Sequence, residues 1–324
     1  MRDRSDYRSG ITAATSLVVI ALAVTPAVAQ QTLTSDVAAD PETAIFVYSD
    51  IENFVRAQAA IEQGDDPAAA LQREYFDAAS PGLLLFIEKY DLTLDRLLAA
   101  MVERPEEYRR TGATLEALMS REPEFRRAYT DIQRVIPDAV FPPTYFVVAG
   151  YRGIGSGSVE GPLISIEKKT VEAIAAGDIE PTLVHEMMHM QQLAAVGEDY
   201  FVIFSGEERT LLALSIREGA ATYFSELITG GSEHKNEARD YYLAHETELW
   251  EAFRVDMLGH DMGDWLWEQP TDPEQPRDLG YAIGARIVEA YYQSASDKAA
   301  AARRIMAITD YPAFLHKSAY MTGR

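Results

Sequence analysis

The chain of 324 residues contains no cysteine, which excludes disulfides, thiolate metal ligands, a cysteine nucleophile and a lipid-modified cysteine. Basic residues are also scarce: 29 Lys and Arg stand against 51 Asp and Glu, for a formal net charge of −22. A nucleic-acid partner needs a basic face to neutralise phosphates, and the same acidity opposes docking on an anionic membrane surface. We therefore expect a globular protein with no nucleic-acid partner, stabilised by packing and helped at most by a metal.

Long apolar runs are missing too, apart from one short run near the start of the chain. Three arginines, this apolar run and a small-residue site follow one another: Arg2, Arg4, Arg8, residues 11–24 and residues 26–30. This order is typical of a secretory signal peptide, and the apolar run is too short to span a bilayer comfortably. We predict a signal peptide over residues 1–29 and an exported mature protein, periplasmic or secreted, with no stable membrane insertion. An uncleaved N-terminal anchor is the alternative.

The mature chain consists of two regions of different character. Apolar residues recur at helical spacing over most of residues 30–137, which predicts an N-terminal helical region. Residues 144–149 and 163–166 then have the composition of strands and flank a glycine-rich segment over residues 150–161, so we predict two short strands joined by a loop. A phosphate-binding loop is the alternative, but the glycine spacing is incomplete and no lysine or helix follows directly.

Residues 138–324 form the second predicted region, which continues after the strands as helices. Four helices are predicted from helical patterns that are bounded by glycine or proline, over residues 181–196, 207–229, 238–258 and 279–294. A loop that contains tryptophan and proline separates the last two. The predicted fold class is therefore α+β and mainly α-helical, with a small sheet.

One predicted helix carries a pattern of metal ligands. His185-Glu186-Met187-Met188-His189 is a His-Glu-x-x-His motif. Four residues advance a helix by about 400°, so His185 and His189 lie on one face, where both imidazoles can reach one ion. Glu186 is offset by about 100°, close enough to touch a water on that ion without being a ligand. This is the geometry of a zinc hydrolase, although the motif also occurs by chance.

The third ligand decides whether this motif is a metal site. Catalytic zinc commonly takes two histidines and one carboxylate and leaves a position for water. Glu218 follows His189 by 29 residues, which is room to finish one helix, turn and enter another. Gly219 and Ala220 are small, so we expect the second helix to pack closely on the first. We predict that Glu218 is the third ligand; a surface salt bridge is the alternative.

With this order of ligands, the second half of the chain resembles the gluzincin class of zinc metallopeptidases. More narrowly, it is similar to an exported family of predicted zinc-dependent proteases whose domain is classed as being of unknown function. The segment Gly280-Tyr281-Ala282-Ile283-Gly284 resembles one that opens the C-terminal helix in the same family. The resemblance covers about residues 145–292, and it implies a zincin-like active-site helix beside a small sheet, in a catalytic domain over residues 138–324.

The resemblance also shows a departure, and it suggests a donor for the reaction. Several gluzincins carry an aspartate close behind the ligand glutamate, whereas residues 221–223 are Ala, Thr and Tyr here. No partner that orients the histidine ligands is therefore assigned. The resemblance implies that Tyr281 is the first candidate for a donor to the oxyanion, with Tyr223 and His245 as weaker candidates.

Together these features predict a zinc-dependent peptidase that hydrolyses peptide bonds outside the cytoplasm. One Zn²⁺ per chain is expected on His185, His189 and Glu218, and the substrate is a peptide or protein. Glu186 is expected to take a proton from the attacking water and deliver it to the leaving amine. The strand over residues 163–166, if it lies at a sheet edge, is expected to bind an extended peptide by strand addition.

Two other functions stay open at this point. One is a non-catalytic, zinc-stabilised binding protein on a peptidase scaffold, against which Glu186 argues, because a structural site has no use for a general base. The other is a hydrolase of a non-peptide amide. Three histidines without ligand spacing are interpreted as incidental: His234, His260 and His316. Trp265 and Trp267 are interpreted as part of a packed loop, with a substrate rim as the alternative.

Overall fold

The computed structural model describes residue 33 and residues 36–321, apart from residues 153–154, 205 and 232–234. The predicted signal peptide lies outside the described residues. Within residues 31–324, the described part of the chain forms one compact unit. The division predicted at residue 137 stays a prediction.

Short helices make up the N-terminal region, as predicted, and capping residues begin several of them. Asp66, Ser80 and Thr93 each precede a helix and accept a main-chain N–H of its first turn through a side-chain oxygen. The helices are α1 (Ser49–Glu62), α2 (Pro67–Leu71), α3 (Pro81–Tyr90), α4 (Leu94–Glu103), α5 (Pro105–Arg109), α6 (Thr111–Ser120) and α7 (Glu122–Val135), with a 3-10 turn over Pro41–Thr43 and a π-helical turn over Gln72–Phe76.

Among the described residues, four short strands form one mixed sheet. The strands are β1 (Phe46–Val47), β2 (Thr144–Val147), β3 (Gly155–Gly157) and β4 (Pro162–Ser165), in the spatial order β1-β2-β4-β3. β1 and β4 run parallel to β2, with Phe46 opposite Thr144 and Tyr145 opposite Leu163. Every residue of β2 and β4 is buried, as expected of strands that are covered on both faces. β1 precedes α1, so the N-terminal region contributes a strand to this sheet.

One edge of the sheet is β3, which lies in the glycine-rich segment that the sequence assigned to a loop. It pairs antiparallel with β4, with Ser156 opposite Leu163. β4 therefore lies between two strands, and the strand predicted over residues 163–166 is not at the sheet edge. Its proposed role in strand addition was wrong for that reason. Glycine has a low strand propensity, so the pairing of β3 depends on tertiary contacts that the local sequence does not show.

The C-terminal half is helical, and two predicted helix bounds need correction. The helix predicted from residue 207 begins at Leu211, because the hydroxyl of Thr210 accepts the N–H of Ala213. The helix predicted over residues 238–258 is two helices that meet at His245. The helices are α8 (Val171–Ala176), α9 (Glu180–Val196), α10 (Asp199–Val202), α11 (Leu211–Thr229), α12 (Lys235–Ala244), α13 (Glu246–Asp256), α14 (Leu279–Ser294), α15 (Lys298–Met306) and α16 (Tyr311–Ser318), with 3-10 turns over Gly206–Glu208 and Gly263–Trp265.

Helix α9 is the central helix of the fold. Strands β3 and β4 and helices α7 and α11 pack against it, and every residue from Glu180 to Leu193 is buried. Gln191, for example, exchanges two hydrogen bonds with the main chain of Val140, at 2.7 and 2.9 Å. A helix with this much buried polar surface must find partners for its side chains inside the protein. In the part of the chain that the structure describes, no helix has both the length and the apolarity of a membrane span.

Helices α11 and α14 cross closely at a point where a glycine of one helix faces a glycine of the other. A Cβ atom on Gly219 would lie 2.5 Å from Cα of Gly284, and a Cβ atom on Gly280 would lie 2.8 Å from Oγ of Ser215. Gly280 and Gly284 are one turn apart, as are Ser215 and Gly219, so two turns of each helix meet. The sequence analysis expected Gly219 to bring its helix close to α9. Helix α11 does pack on α9 as expected, but the close neighbour of Gly219 itself is α14.

We expect Gly219→Ala to lower the free energy of unfolding by about 1–3 kcal/mol or more, because the new methyl group meets main-chain atoms that cannot rotate away. Denaturant titration followed by circular dichroism measures the change. Gly112→Ala in α6 is the matched control, because a Cβ atom there meets nothing within 4 Å and alanine favours the helix. Equal stability of the two variants would contradict the close crossing of α11 and α14.

Candidate metal centre

His185, Glu186 and His189 lie on the buried face of α9, with exposed fractions of 3%, 5% and 5%. Because the two histidines are four residues apart, their imidazoles project from one side of the helix, with ring centroids 4.9 Å apart. Pro181 stands in the first turn of α9, where a proline breaks no helical hydrogen bond. The helix therefore presents both rings to the element packed across from it, which is α11.

Helix α11 brings Glu218 to the two histidines. Its Oε2 atom lies 3.3 Å from Nε2 of His185 and 3.2 Å from Nε2 of His189. The two Nε2 atoms are themselves 3.2 Å apart. We call these three side chains the ligand cluster. Among the described residues, they form the one group of at least three His, Asp or Glu side chains that could hold a metal ion.

The ligand cluster fits zinc. Its three facing atoms form a nearly equilateral triangle with sides of 3.2–3.3 Å. Ligand atoms bound at tetrahedral zinc by bonds of 2.0–2.1 Å lie about 3.3–3.4 Å apart, close to these separations. Two imidazole nitrogens and one carboxylate oxygen are also the donor set of many catalytic zinc sites, in which the fourth position holds water. His185, His189 and Glu218 would therefore hold the ion on three sides.

Gln192 orients one of the histidines, a role for which the sequence analysis had no candidate. Nδ1 of His189 lies 2.8 Å from Oε1 of Gln192, so Nδ1 carries the hydrogen and Nε2 presents its lone pair to the ligand cluster. The Nε2 of Gln192 donates in turn to the main-chain oxygen of Arg217, at 3.0 Å. One amide thus fixes a ring and joins α9 to α11. Its spacing of three residues from His189 is a signal that the sequence does contain.

Arg217, directly before Glu218, is a buried cation whose charge aromatic groups stabilise. It donates to the main-chain oxygen of Tyr200 at 3.1 Å and to the hydroxyl oxygen of Tyr311 at 2.6 Å. Its guanidinium carbon lies 4.2 Å from the centre of the Tyr200 ring. No described carboxylate forms an ion pair with it, so oxygen dipoles and a ring face take the place of a counter-ion. The ring of Tyr200 lies edge-on to that of His189, with centroids 6.5 Å apart.

Electrostatics favours a proton on His189 before a metal binds. Burial alone lowers the pKa of His189, but the charge and hydrogen bond of Glu218 raise it to about 9. Burial alone raises the pKa of Glu218, but the attraction of His189 and the hydrogen bonds of both histidines hold it well below its usual range. A metal must displace this proton, so metal binding is expected to weaken as the pH falls below about 9.

Strand β3 covers Glu186 closely. A Cβ atom on Gly155 would lie 2.8 Å from Cγ and 2.9 Å from Cδ of Glu186. A Cβ atom on Gly157 would lie 2.8 Å from Cε of Met190 and 3.2 Å from Cβ of His189. Glycine at both positions therefore lets the edge strand run directly along the helix that carries the motif. The carboxylate of Glu186 therefore packs directly against the main chain of that strand.

Tyr281 reaches the ligand cluster from the start of α14. Its ring lies nearly parallel to that of His185, with centroids 6.1 Å apart, and Nε1 of Trp267 donates to its hydroxyl oxygen at 3.0 Å. Trp267 has a left-handed backbone, φ 66°, held by a hydrogen bond of 2.6 Å from its N–H to Oδ1 of Asp278. The sequence analysis favoured a packed loop for Trp267. The structure shows it 40% exposed and bonded to a candidate site residue.

The remaining candidates have contacts elsewhere or lie outside the description. The hydroxyl of Tyr223 accepts a hydrogen bond from Gln293 at 3.1 Å, and its ring packs against Tyr292. His245 is exposed, with Nδ1 2.9 Å from the carbonyl oxygen of Tyr241. His234 lies outside the described residues. His260 is exposed and hydrogen-bonds to Arg209, and His316 is exposed as well. Trp265 is buried, and its ring lies edge-on against that of Phe253.

A buried helix with two histidines and a glutamate between them, completed by a glutamate from a second helix, is the metal site of a zinc-dependent protease. Comparison with known proteins agrees with this class. Residues 149–309 match the family described as "Predicted Zn-dependent protease (DUF2268)". No curated protein and no solved structure matches the chain. The matched segment contains all three residues of the ligand cluster, Glu186 and Tyr281.

We expect Gln192→Met to weaken zinc binding by about 10- to 100-fold, because His189 loses the group that orients its ring. Competition against a fluorescent zinc chelator measures the affinity. Gln191→Met is the matched control on the same helix, because Gln191 is equally buried but bonds to Val140. An equal loss of zinc affinity in the two variants would show that general damage to α9, and not the bond to His189, is responsible.

Proposed function

We propose that this protein is an exported zinc-dependent peptidase that hydrolyses peptide bonds in peptide or protein substrates. The observation that carries the proposal is that His185, His189 and Glu218 meet in the protein interior and that Glu186 directly follows His185 on α9. A bound zinc ion would act as a Lewis acid, which acidifies water and polarises a carbonyl group. The rest of the chemistry belongs to the side chains around the ligand cluster.

Glu186 is proposed as the general base and acid. It follows His185 directly, so its carboxylate is beside the ligand cluster, while Glu218 occupies the position of the third ligand. A carboxylate in this place accepts a proton from the attacking water and later delivers it to the leaving amine. Gly155 packs against this carboxylate and keeps it at β3, the edge strand along which a substrate chain would lie.

Tyr281 is proposed to stabilise the oxyanion. Trp267 donates to its hydroxyl oxygen at 3.0 Å, so the hydrogen of that hydroxyl must point in another direction. Its ring stacks beside His185, which places the hydroxyl on the same side of α9 as the ligand cluster. A donor that is fixed before the substrate arrives stabilises developing negative charge without reorganisation. Trp267 is thereby a positioning residue for Tyr281.

Strand β3 is proposed as the place where an extended substrate binds. It forms the edge of the sheet and runs along α9, beside Glu186. An edge strand offers main-chain N–H and C=O groups to which a peptide can pair as an added strand. This role replaces the one that the sequence analysis gave to residues 163–166.

Export is proposed from the sequence of residues 1–29, which has the basic, apolar and small-residue parts of a signal peptide. We expect the mature protein to begin at Gln30, or at Gln31 if processing shifts by one residue. Intact-mass measurement of material collected outside the cytoplasm tests this. A mass that includes Arg8 or Ile11 would contradict cleavage and favour an uncleaved anchor.

We expect Glu186→Gln to keep one zinc per chain and the fold, and to lower hydrolysis by about 10²–10⁴-fold, because an amide cannot accept the proton. Elemental analysis and a screen of proteome-derived peptides measure the two quantities. Glu180→Gln is the matched control, since Glu180 lies on the same helix and pairs with Arg121, away from the ligand cluster.

The outcomes separate the proposal from its rivals. Equal cleavage by wild type and Glu186→Gln would refute the role of Glu186. Stoichiometric zinc with no cleavage by either protein would indicate a zinc-stabilised binding protein. Activity confined to non-peptide amides would keep the chemistry and change the substrate.

A further inference from the structure

Lys89, in the last turn of α3, brings a positive charge to the edge strand beside the ligand cluster. Its ammonium donates to the Oγ atom of Ser156, which lies between the two glycines of β3. The preceding strand residue, Gly155, is the one that packs against the carboxylate of Glu186. Lys89 therefore lies next to the proposed substrate strand, although it precedes the family segment in sequence.

The charge of Lys89 has no carboxylate partner. The described residues form no ion pair with it, in a chain where acidic residues outnumber basic ones by 51 to 29. The residue as a whole is exposed, but its ammonium end is enclosed by protein. This enclosure lowers the pKa of Lys89, and the attraction of Glu186 and Glu218 opposes the change. Neither of these carboxylates forms an ion pair with the ammonium, so an anion that contacts it directly would stabilise it further.

A second cation stands at the same place. The guanidinium of Arg152 donates to the main-chain oxygen of Tyr90 at 3.1 Å, directly after Lys89. It too makes no ion pair with a described carboxylate, and it is exposed. Both cations lie at the C-terminal end of α3, where they also interact favourably with the helix dipole. That effect is modest at an exposed helix end, and it gives no reason for the ammonium to reach across to β3.

Fastening the strand is the plainer explanation for Lys89. A hydrogen bond to Ser156 does hold β3 to α3, but a neutral side chain could make the same bond without bringing an enclosed charge. Ser156 also takes only one of the three ammonium hydrogens, so donors remain for a ligand. The ring of Tyr90, whose centre lies 5.5 Å from Nζ, stabilises this charge in part, and an anionic group on a bound substrate would complete its stabilisation.

We propose that Lys89 determines specificity by binding a carboxylate of the substrate beside the scissile bond. The carboxylate is either the C-terminal group of the peptide or an acidic side chain, since both offer the same acceptor atoms. The inference rests on the proposed peptidase function and refines it. It also gives the N-terminal helical region a part in substrate recognition.

Matched peptides test the proposal on the zinc-loaded full chain. One set of short peptides differs only in a free C-terminal carboxylate or a C-terminal amide. The other set has amidated ends and differs only in Glu or Gln at one position, moved along the peptide. The measured quantity is the ratio of kcat/KM for the charged peptide to that for its neutral twin. This ratio cancels any general loss of activity through a displaced strand.

We expect the wild-type ratio to exceed one in one of the two sets, and Lys89→Met to lower it by about 10- to 100-fold, as the loss of a charged hydrogen bond predicts. A lower ratio in the first set identifies the C-terminal carboxylate as the group that Lys89 binds. A lower ratio in the second set identifies an acidic side chain. Lys89→Arg should keep most of the ratio. Ser156→Ala removes the bond to the strand but keeps the charge, so it should keep the ratio as well.

Lys317→Met, the same change of charge on the exposed side of α16, is the control and should leave the ratio unchanged. A ratio that Lys89→Met does not change in either set would overturn the proposal and leave strand fastening as the role of Lys89. If the wild type cleaves no peptide, the proposed function fails, and calorimetric binding of the same peptides decides. If the wild type binds the charged peptide more tightly than its neutral twin and Lys89→Met removes this difference, carboxylate binding is supported. If the wild type binds both peptides equally, the proposal is overturned.

Discussion

The site depends on close approaches between elements that only glycine allows. Gly219 and Gly284 let α11 and α14 touch without side chains between them, and Gly155 lets β3 lie on the carboxylate of Glu186. A methyl group at any of these three glycines would push an element away from the site. The first contact places Glu218 and Tyr281 on neighbouring helices, and the second places an open strand edge beside the proposed base. The glycines thus bring the parts of the site within reach of one another.

Several buried polar groups around the site are stabilised by specific partners. Glu218 lies between two histidines, His189 donates to Gln192, and the amide of Gln192 bonds to the main chain of the other ligand helix. Arg217 lies between an aromatic ring and two oxygen atoms. Buried charges that have lost their hydration must be stabilised in this way, because an unpaired one would cost several kcal/mol. A site built so leaves the ring of His189 little freedom to turn.

The sequence predicted the parts of this site that depend on local periodicity. The helix with His185 and His189, the downstream Glu218 and the mainly helical α+β fold all follow from spacing within one element or between successive ones. Contacts between distant segments could not be predicted. The edge position of β3 depends on a pairing of glycines with β4, and the partner of Gly219 is a helix some sixty residues further on. The break at His245 has no glycine or proline to mark it. Gln192 could have been found, because its spacing from His189 is helical.

The hydrogen bonds of Arg217 connect the ligand cluster to the end of the chain. Tyr311, the first residue of α16, accepts from Arg217, whose main chain accepts from Gln192, which orients His189. A polypeptide is synthesised from its N-terminus, so α16 becomes available for folding only after the other described helices. The order of synthesis therefore delays completion of the site: while the chain is still emerging, the ring of His189 lacks its full support. The orientation of a metal ligand thus waits for a helix that lies far downstream of it in the sequence.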